Sequence, residues 1–385
     1  MRTFKILEYA LASLLRRPGK TAAILVVYTL MIAVLAAVLF LTQALKTEAT
    51  TMLAGGPELV VQKTMAGRHE LIPVNVVDQL AAIPGVKAVK PRVWGYYYDA
   101  LVEANYTLQT AATVDPEPVL LDGRFPGEAF ECAIGTGVAT VRRVRLGDDL
   151  ILIDHNNIGR IYTVTGVFET ASDLLTQDLI VMTEDDLRQF FGMPAEQATD
   201  LTVSVYNPNE IDTVAGKIKR ILPDSRPITQ KELQRTYHAV FDWRGGMILA
   251  LFSSALMAFC ILAWDKATGL SAGERREIGI LKAVGWDTGD VLLLKFWEGL
   301  ALSFLAFLGG CLIAFLLVFF WGAPLLGSIL RGWSVLFPAL KPTPFIDFYQ
   351  IGTLAFMTIV PYVASTVIPA WRAAVTDPDE VMRNA

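Results

Sequence analysis

The sequence predicts an α-helical membrane protein with four transmembrane helices and an α+β periplasmic domain inserted between helices 1 and 2. Three observations carry that prediction. The 385-residue chain is 53% hydrophobic, with a mean hydropathy of +0.44, and the apolar residues are gathered into blocks. Four blocks, Thr21–Leu45, Gly245–Trp264, Gly299–Leu330 and Phe348–Trp371, contain no Asp, Glu, Lys or Arg. Each reaches the ~20 residues that span a bilayer at ~1.5 Å rise per residue. Finally, roughly 200 residues of mixed, strand-rich sequence separate the first block from the second, enough for one or two compact lobes.

Orientation follows from Lys and Arg at the span ends. Arg2, Lys5, Arg16, Arg17 and Lys20 precede span one; Lys266, Arg275, Arg276, Lys282 and Lys295 lie between spans two and three. Arg331 and Lys341 alone lie between spans three and four. Both termini are therefore expected in the cytoplasm of a multi-pass inner-membrane protein. Trp243, Trp264, Trp297, Trp321, Tyr349 and Trp371 near the span ends fit interfacial aromatic belts. The expected domains are 1–45 (amino-terminal helix and span one), 46–244 (periplasmic) and 245–385 (spans two to four).

Taken in order, residues 2–15 read as a helix lying on the membrane. Phe4, Leu7, Leu11 and Leu14 recur at helical spacing, with Lys5, Glu8 and Arg16 opposite, and Pro18-Gly19 ends the helix. Span one is too long in its apolar core for a cleaved signal peptide and reads as retained. In the large domain "ELVVQK" alternates as a strand, "VNVVDQLAAIPGV" reads as a helix, and "LTVSVYNPNEIDTVAGKIKRILP" as strand, turn and helix. "DLILIDHNNIGRIYTVTGVFET" reads as two strands joined by an Asn/Gly turn. Residues of about 57–103 and 199–231 are expected to form one porter-like lobe around an inserted strand-rich lobe. Thr183 should cap a helix with acids in its first turn. Cys132 is the lone cysteine of the domain, so it stands on its hydrophobic core without an internal disulfide. Gly309-Gly310 should interrupt span three, 322–347 should form an external connector, and Pro361 and Pro369 should kink span four.

The stretch "SAGERREIGILKAVGW", 271–286, is richer in chemistry than a linker needs. Ser271 and Glu274 form a capping box, Lys282 suits the carboxyl end, and Gly285 suits the position after it. A helix over 272–284 results, and Asp287 can cap the next. Ile278, Leu281 and Gly285 share one strip with Ile280 and Val284 beside it, so two faces are apolar, rimmed by Glu274, Arg275, Arg276 and Glu277. The pattern fits either a helix resting on the bilayer surface or a docking element with an apolar knob and an ionic rim.

Other chemistries are disfavoured. Net charge is −5, which offers nothing to nucleic acid. Gly19-Lys20-Thr21 resembles the tail of a phosphate-binding loop, but Leu14 stands where that loop needs glycine. His69, His155 and His238 share no metal-ligand spacing. The apolar blocks lack the ionisable residues that ion-driven transporters place at mid-membrane. No catalytic, cofactor or metal residue is expected in the chain.

"ERREIGILKAVGW" resembles the motif between the second and third spans of the MacB/FtsX class of ABC transporter permeases, through Glu274, Arg275, Glu277, Ile278, Gly279, Ile280, Ala283 and Gly285. Trp286 departs from the small residue usual there. "VIPAWRAAVTDPDEVMR" resembles the class's carboxyl terminus, "ALASLLRRPGKTA" its start, and "LLDGRFP", "ECAIGTGVA" and "YTVTGVFE" its periplasmic domain. The resemblance covers the whole chain. It implies a permease that couples ATP hydrolysis by a separate cytoplasmic ABC ATPase to periplasmic conformational change, driving export or extraction of a substrate. The alternative it implies is an FtsX-like signalling subunit that regulates a periplasmic hydrolase. It further implies a second permease copy, as homodimer or with a paralogue, a periplasmic adaptor, and ATP bound by the partner. The implied ATPase-docking residues are Glu274, Arg275, Arg276, Glu277, Ile278, Gly279, Leu281, Lys282 and Gly285.

Overall fold

The structure is a computed structural model that describes residues 2–54, 56–111, 114, 119–169, 177–268, 279–324, 326, 327, 329 and 344–375. It separates into two compact units, one containing the apolar helices and the other formed by Leu45–Phe241.

In the first unit, α1 (Arg2–Arg16) precedes α2 (Pro18–Ala54). Among the described residues four stretches are long and apolar enough to cross a membrane: Pro18–Thr50, Gln230–Ala258, Thr288–Phe320 and Phe348–Trp371. The expected count of four spans is met. Helix α1 buries Ile6 and Ala10 and leaves Phe4, Leu11 and Leu15 exposed. Gly309 and Gly310 do not interrupt span three. They lie inside an unbroken helix because α2 runs against it there: a Cβ on Gly310 would meet Ile32 Cγ2 at 2.7 Å and the Thr29 carbonyl oxygen at 3.0 Å. The pair admits a neighbouring backbone. Span three ends in one π-helical turn, Leu316–Phe320, and span four continues as helix through Pro361 and Pro369. Most of the 322–347 connector lies outside the described residues.

The large unit holds fourteen described strands in two main sheets. In chain order they are β1 (Leu59–Met65), β2 (Arg68–Glu70), β3 (Ile72–Pro73), β4 (Val86–Arg92), β5 (Trp94–Asp99), β6 (Ala104–Thr110) and β7 (Val119–Gly123). They continue with β8 (Glu131–Gly135), β9 (Asp149–Ile153), β10 (Gly159–Glu169), β11 (Leu179–Met182), β12 (Gln197–Ala198), β13 (Asp200–Val205) and β14 (Ser225–Thr229). Its helices are α3 (Val77–Ala81), α4 (Thr136–Arg142), α5 (Glu184–Phe191) and α6 (Ile211–Ile221). The remaining long helices are α7 (Gln230–Thr268), α8 (Thr288–Phe315) and α9 (Phe348–Val375).

One lobe is the five-stranded sheet of order β14-β1-β13-β4, with β2 on β1. Leu59, Val61, Leu201 and Val203 face Leu80 of α3 and Val214 and Ile218 of α6 across its core. The other lobe is the seven-stranded sheet of order β5-β6-β11-β8-β10-β7, with β9 on β10. Tyr106, Leu108, Ile134 and Ile180 pack on one face with Val138 of α4 and Leu187 and Phe190 of α5. Ala133, Phe168, Leu179 and Val181 form a smaller core. The first lobe's outer segment ends before the expected bound of about 103. Trp94–Asp99 belongs to the second sheet because β5 pairs with β6, from Trp94 opposite Gln109 to Asp99 opposite Ala104.

Local chemistry explains the element ends. Thr183 caps α5, its hydroxyl accepting from the Asp186 N–H at 3.3 Å, with three acids in the first turn. The α5 helix stops at Gly192, φ 65°. Asp154 holds the β9–β10 turn: its carboxylate accepts from the N–H groups of Asn156 and Ile158 and from Arg160 Nε, each at 2.9 Å. The Ile158 N–H foremost, then Arg160, keep that carboxyl below its ordinary range.

Candidate functional site

Of the docking residues expected from the sequence, Glu274, Arg275, Arg276, Glu277 and Ile278 lie outside the described residues. From Gly279 the chain is helical through Ala283 and then turns. The Val284 N–H donates to the Ile280 carbonyl, Gly285 to Lys282 and Trp286 to Leu281, each at 3.0 Å. Gly285 has φ +98°. The last two bonds and the left-handed glycine make a Schellman ending, which fixes the turn that follows the helix. Asp287 then caps α8, and the Asp290 carboxylate accepts the Asp287 N–H at 3.1 Å. Gly279 and Gly285 both have open space where a Cβ would stand.

This ending decides which side chains face out. In a Schellman motif the residue after the glycine packs against the residue four before it, here Trp286 against Leu281. Leu281 and Trp286 accordingly join a cluster with buried Ile6, Ala10 and Leu294 and half-buried Tyr9, Leu293 and Trp297. Leu281 is thus drawn inward instead of serving as the outer knob. Ile280, 55% exposed, and Val284, 76% exposed, occupy the outer face. Lys282 is half-buried and carries an interaction of its own. The sequence offered no sign of which flank would turn inward, because that depends on α1, more than 260 residues away in the chain.

The cluster is closed by aromatic rings. Tyr9 and Trp286 lie 5.6 Å apart with their planes at 55°, a tilted pair worth about 1 kcal/mol beyond area burial. The Arg16 guanidinium stands 5.1 Å from the centre of the Tyr9 ring on the same helix. Early in α8, Lys295 and Glu298 pair at 2.6 Å, one turn apart.

The large unit has two further polar arrangements that sequence reading missed. Glu131 begins β8 and accepts from both terminal nitrogens of Arg124, and from the N–H groups of Gly127 at 3.0 Å and Glu128 at 3.1 Å. The Arg124 bonds, then the two backbone N–H groups, pull its carboxyl down to about 2. The spacing in "GRFPGEAFE" was the available signal. The second arrangement joins the lobes. Asp200, fully buried, accepts from Arg92 at 2.7 and 2.8 Å and from the Trp94 indole at 3.0 Å. Beside it, the Thr199 hydroxyl accepts the Trp94 N–H at 3.0 Å and donates to the Trp94 carbonyl at 2.7 Å. Cys132 is buried, and that burial pushes its thiol up to about 12, away from reactive chemistry. Among the described residues no group of three or more His, Cys, Asp and Glu is placed to hold a metal ion.

Residues 21–221 match the family model of the MacB-like periplasmic core domain, and residues 247–378 that of the FtsX-like permease C-terminal region. The chain is similar to an uncharacterized ABC transporter permease, MJ1507, of Methanocaldococcus jannaschii: 24% identical over 336 residues, 79% of this chain and 78% of the relative. Among solved structures it is similar to the periplasmic region of MacB from Actinobacillus actinomycetemcomitans, at 12% identity and TM-score 0.34, covering 47% of this chain and 92% of that one. It is also similar to the extracellular domain of the noncanonic ABC-type transporter YknZ from Gram-positive bacteria, at 15% identity and TM-score 0.31, covering 44% and 92%.

Proposed function

The chain belongs to the ABC transporter permeases with a MacB-like periplasmic core and an FtsX-like carboxyl-terminal region, and from that premise we propose that it couples ATP hydrolysis by a separate cytoplasmic ABC ATPase to conformational change in its large domain, driving export or extraction of a substrate. In this reading the termini and the segment between spans two and three face the cytoplasm of an inner-membrane protein. The large domain lies on the other side. A second permease copy completes the assembly, and a periplasmic adaptor extends it. The chain itself contributes no catalysis and leaves ATP to its partner.

The observation that carries this reading is the two-sided segment 279–286. Its inner side is fixed by Leu281 and Trp286 to α1 and α8, while Ile280 and Val284 stand exposed. A mechanical contact needs both properties: apolar anchors for a partner's pocket, and a base that does not yield when pushed. The adjoining charges, Glu274 to Glu277, would form the rim, where truncation costs less.

The test is co-purification from native membranes, with the captured ABC ATPase identified by its own nucleotide-binding sequence. Central apolar anchors cost about 2 kcal/mol or more each on truncation. Ile280→Asp combined with Val284→Asp should therefore strip the ATPase from a permease that still purifies as a monodisperse species, whereas Glu277→Gln should weaken the complex modestly. Wild-type recovery of ATPase with the double variant would overturn the docking reading and leave the segment a helix resting on lipid.

A further inference from the structure

We propose that the Tyr9–Trp286 contact carries the movement of the docking segment into span one, with α1 as the strut between them. The inference rests on the docking reading above and adds a route to it. Segments 279–286 and 288 onward are consecutive, so a push on the docking helix reaches span three through the chain itself. Span one has no such covalent link: it meets span three further along, where Ile32 and Thr29 lie against Gly310, and it is joined to the docking segment itself through α1.

The contacts run in an unbroken series. Leu281 and Trp286 pack into the cluster that holds Ile6, Tyr9 and Ala10 of α1. Tyr9 meets the Trp286 ring at 5.6 Å, and Arg16, two turns further along α1, reaches back over the Tyr9 ring. The end of α1 is tied to the start of span one: the Thr21 N–H donates to the Arg17 carbonyl at 3.1 Å, and the Thr21 hydroxyl to the Leu14 carbonyl at 3.0 Å. One side of α1 exposes Phe4, Leu11 and Leu15, the side expected to lie on the membrane, while the other is packed on Trp286 and on Leu294 and Trp297 of α8. The helix therefore moves with that cluster. Trp286 is also the position at which this chain departs from the small residue of the resembling motif. A large ring there needs a partner, and Tyr9 supplies it.

Tyr9 and Trp286 are thus positioning residues, and a chain of packed side chains is a coupling route only if perturbing it changes coupling. The experiment uses the full permease with its co-purified ATPase in nanodiscs, and reads two quantities: affinity for the ATPase, and permease-dependent stimulation of ATP turnover. Trp286→Ala and Tyr9→Ala should each keep affinity within about threefold, since Ile280 and Val284 remain in place. Each should lower stimulation about tenfold. Tyr9→Phe, which keeps the ring, should restore it, and the double alanine variant should be no worse than either single one, because both remove the same contact. Spin labels at Val26 on span one and Leu305 on span three should lose their ATP-dependent change of separation in Trp286→Ala. Affinity and stimulation falling together would overturn the strut and make Trp286 part of the docking face. Unchanged stimulation in both alanine variants would overturn it as well. The docking reading fails on a different result, retention of ATPase by the Ile280→Asp/Val284→Asp variant.

Discussion

Glu131 is exposed enough to titrate and bonded enough for its titration to matter. Its carboxyl sits at about 2, held by Arg124 and by the N–H groups of Gly127 and Glu128, against about 4.3 in an unfolded chain. A carboxyl lowered by folding stabilises the fold above the unfolded value and stops doing so as pH falls toward the folded one. Asp154 is shifted in the same direction by the Ile158 N–H and by Arg160. Asp178 opposes them, because burial raises its carboxyl and its contribution grows on acidification. The net expectation for Glu131→Gln is specific. The variant should melt below wild type at neutral pH, and the gap in Tm should close between about pH 4 and pH 2. Scanning calorimetry of the detergent-solubilised protein checks this; a gap independent of pH would mean that Glu131 contributes nothing through its charge.

Between elements, the governing feature is how closely span one approaches span three. At Gly310 a Cβ would lie within 2.8 Å of two Ile32 carbons, while at Gly309 the nearest atom, Thr29 Cγ2, is 3.3 Å away. Similar close approaches occur at Gly245 against Thr42 and at Gly299 against Thr366. Small residues let helix backbones meet where lipid supplies no hydrophobic drive to bring them together. Gly310→Val should therefore separate the helices and destabilise by about 1–3 kcal/mol, the usual range for overpacking, while Gly309→Ala should cost distinctly less. Thermal unfolding in detergent ranks the two; equal effects would argue that the glycines matter for helix flexibility and not for contact.

At the scale of the large unit, the chain passes twice between its lobes, from β4 into β5 and from α5 into β12, whose Ala198 lies in the first lobe's core beside Leu201 of β13. Asp200, Arg92, Trp94 and Thr199 staple those two passages together. Removing one member of a buried ion pair typically costs 3–5 kcal/mol, because the partner is left uncompensated. Asp200→Ala should leave each lobe's core intact while loosening the joint. Spin labels at the exposed positions Tyr206 and Ile158, one in each lobe, should then report a broader distance distribution than in wild type. An equally narrow distribution would place the rigidity of the joint elsewhere.

The sequence by itself determined whatever depends on neighbours within about one helical turn or on composition over one span. The four charge-free runs gave the spans, Asp287 and Thr183 the helix starts, Gly285 the helix end, and the Asn/Gly turn the β9–β10 hairpin. In each case the deciding partners lie a few residues apart, so the pattern is written locally. Tertiary structure decided the rest. It assigned Trp94–Asp99 to the second sheet, since β5 finds its partner in β6 and the chain has already crossed the Asp200 joint. It turned Gly309-Gly310 from an expected break into a contact, because the reason for the glycines is Ile32 of another helix. It also drew Leu281 inward and left Ile280 and Val284 outside, because α1 packs against one flank of the segment. Periodicity shows that a helix has an apolar face, but the choice between two such faces is made by a partner whose distance along the chain leaves no trace in local spacing.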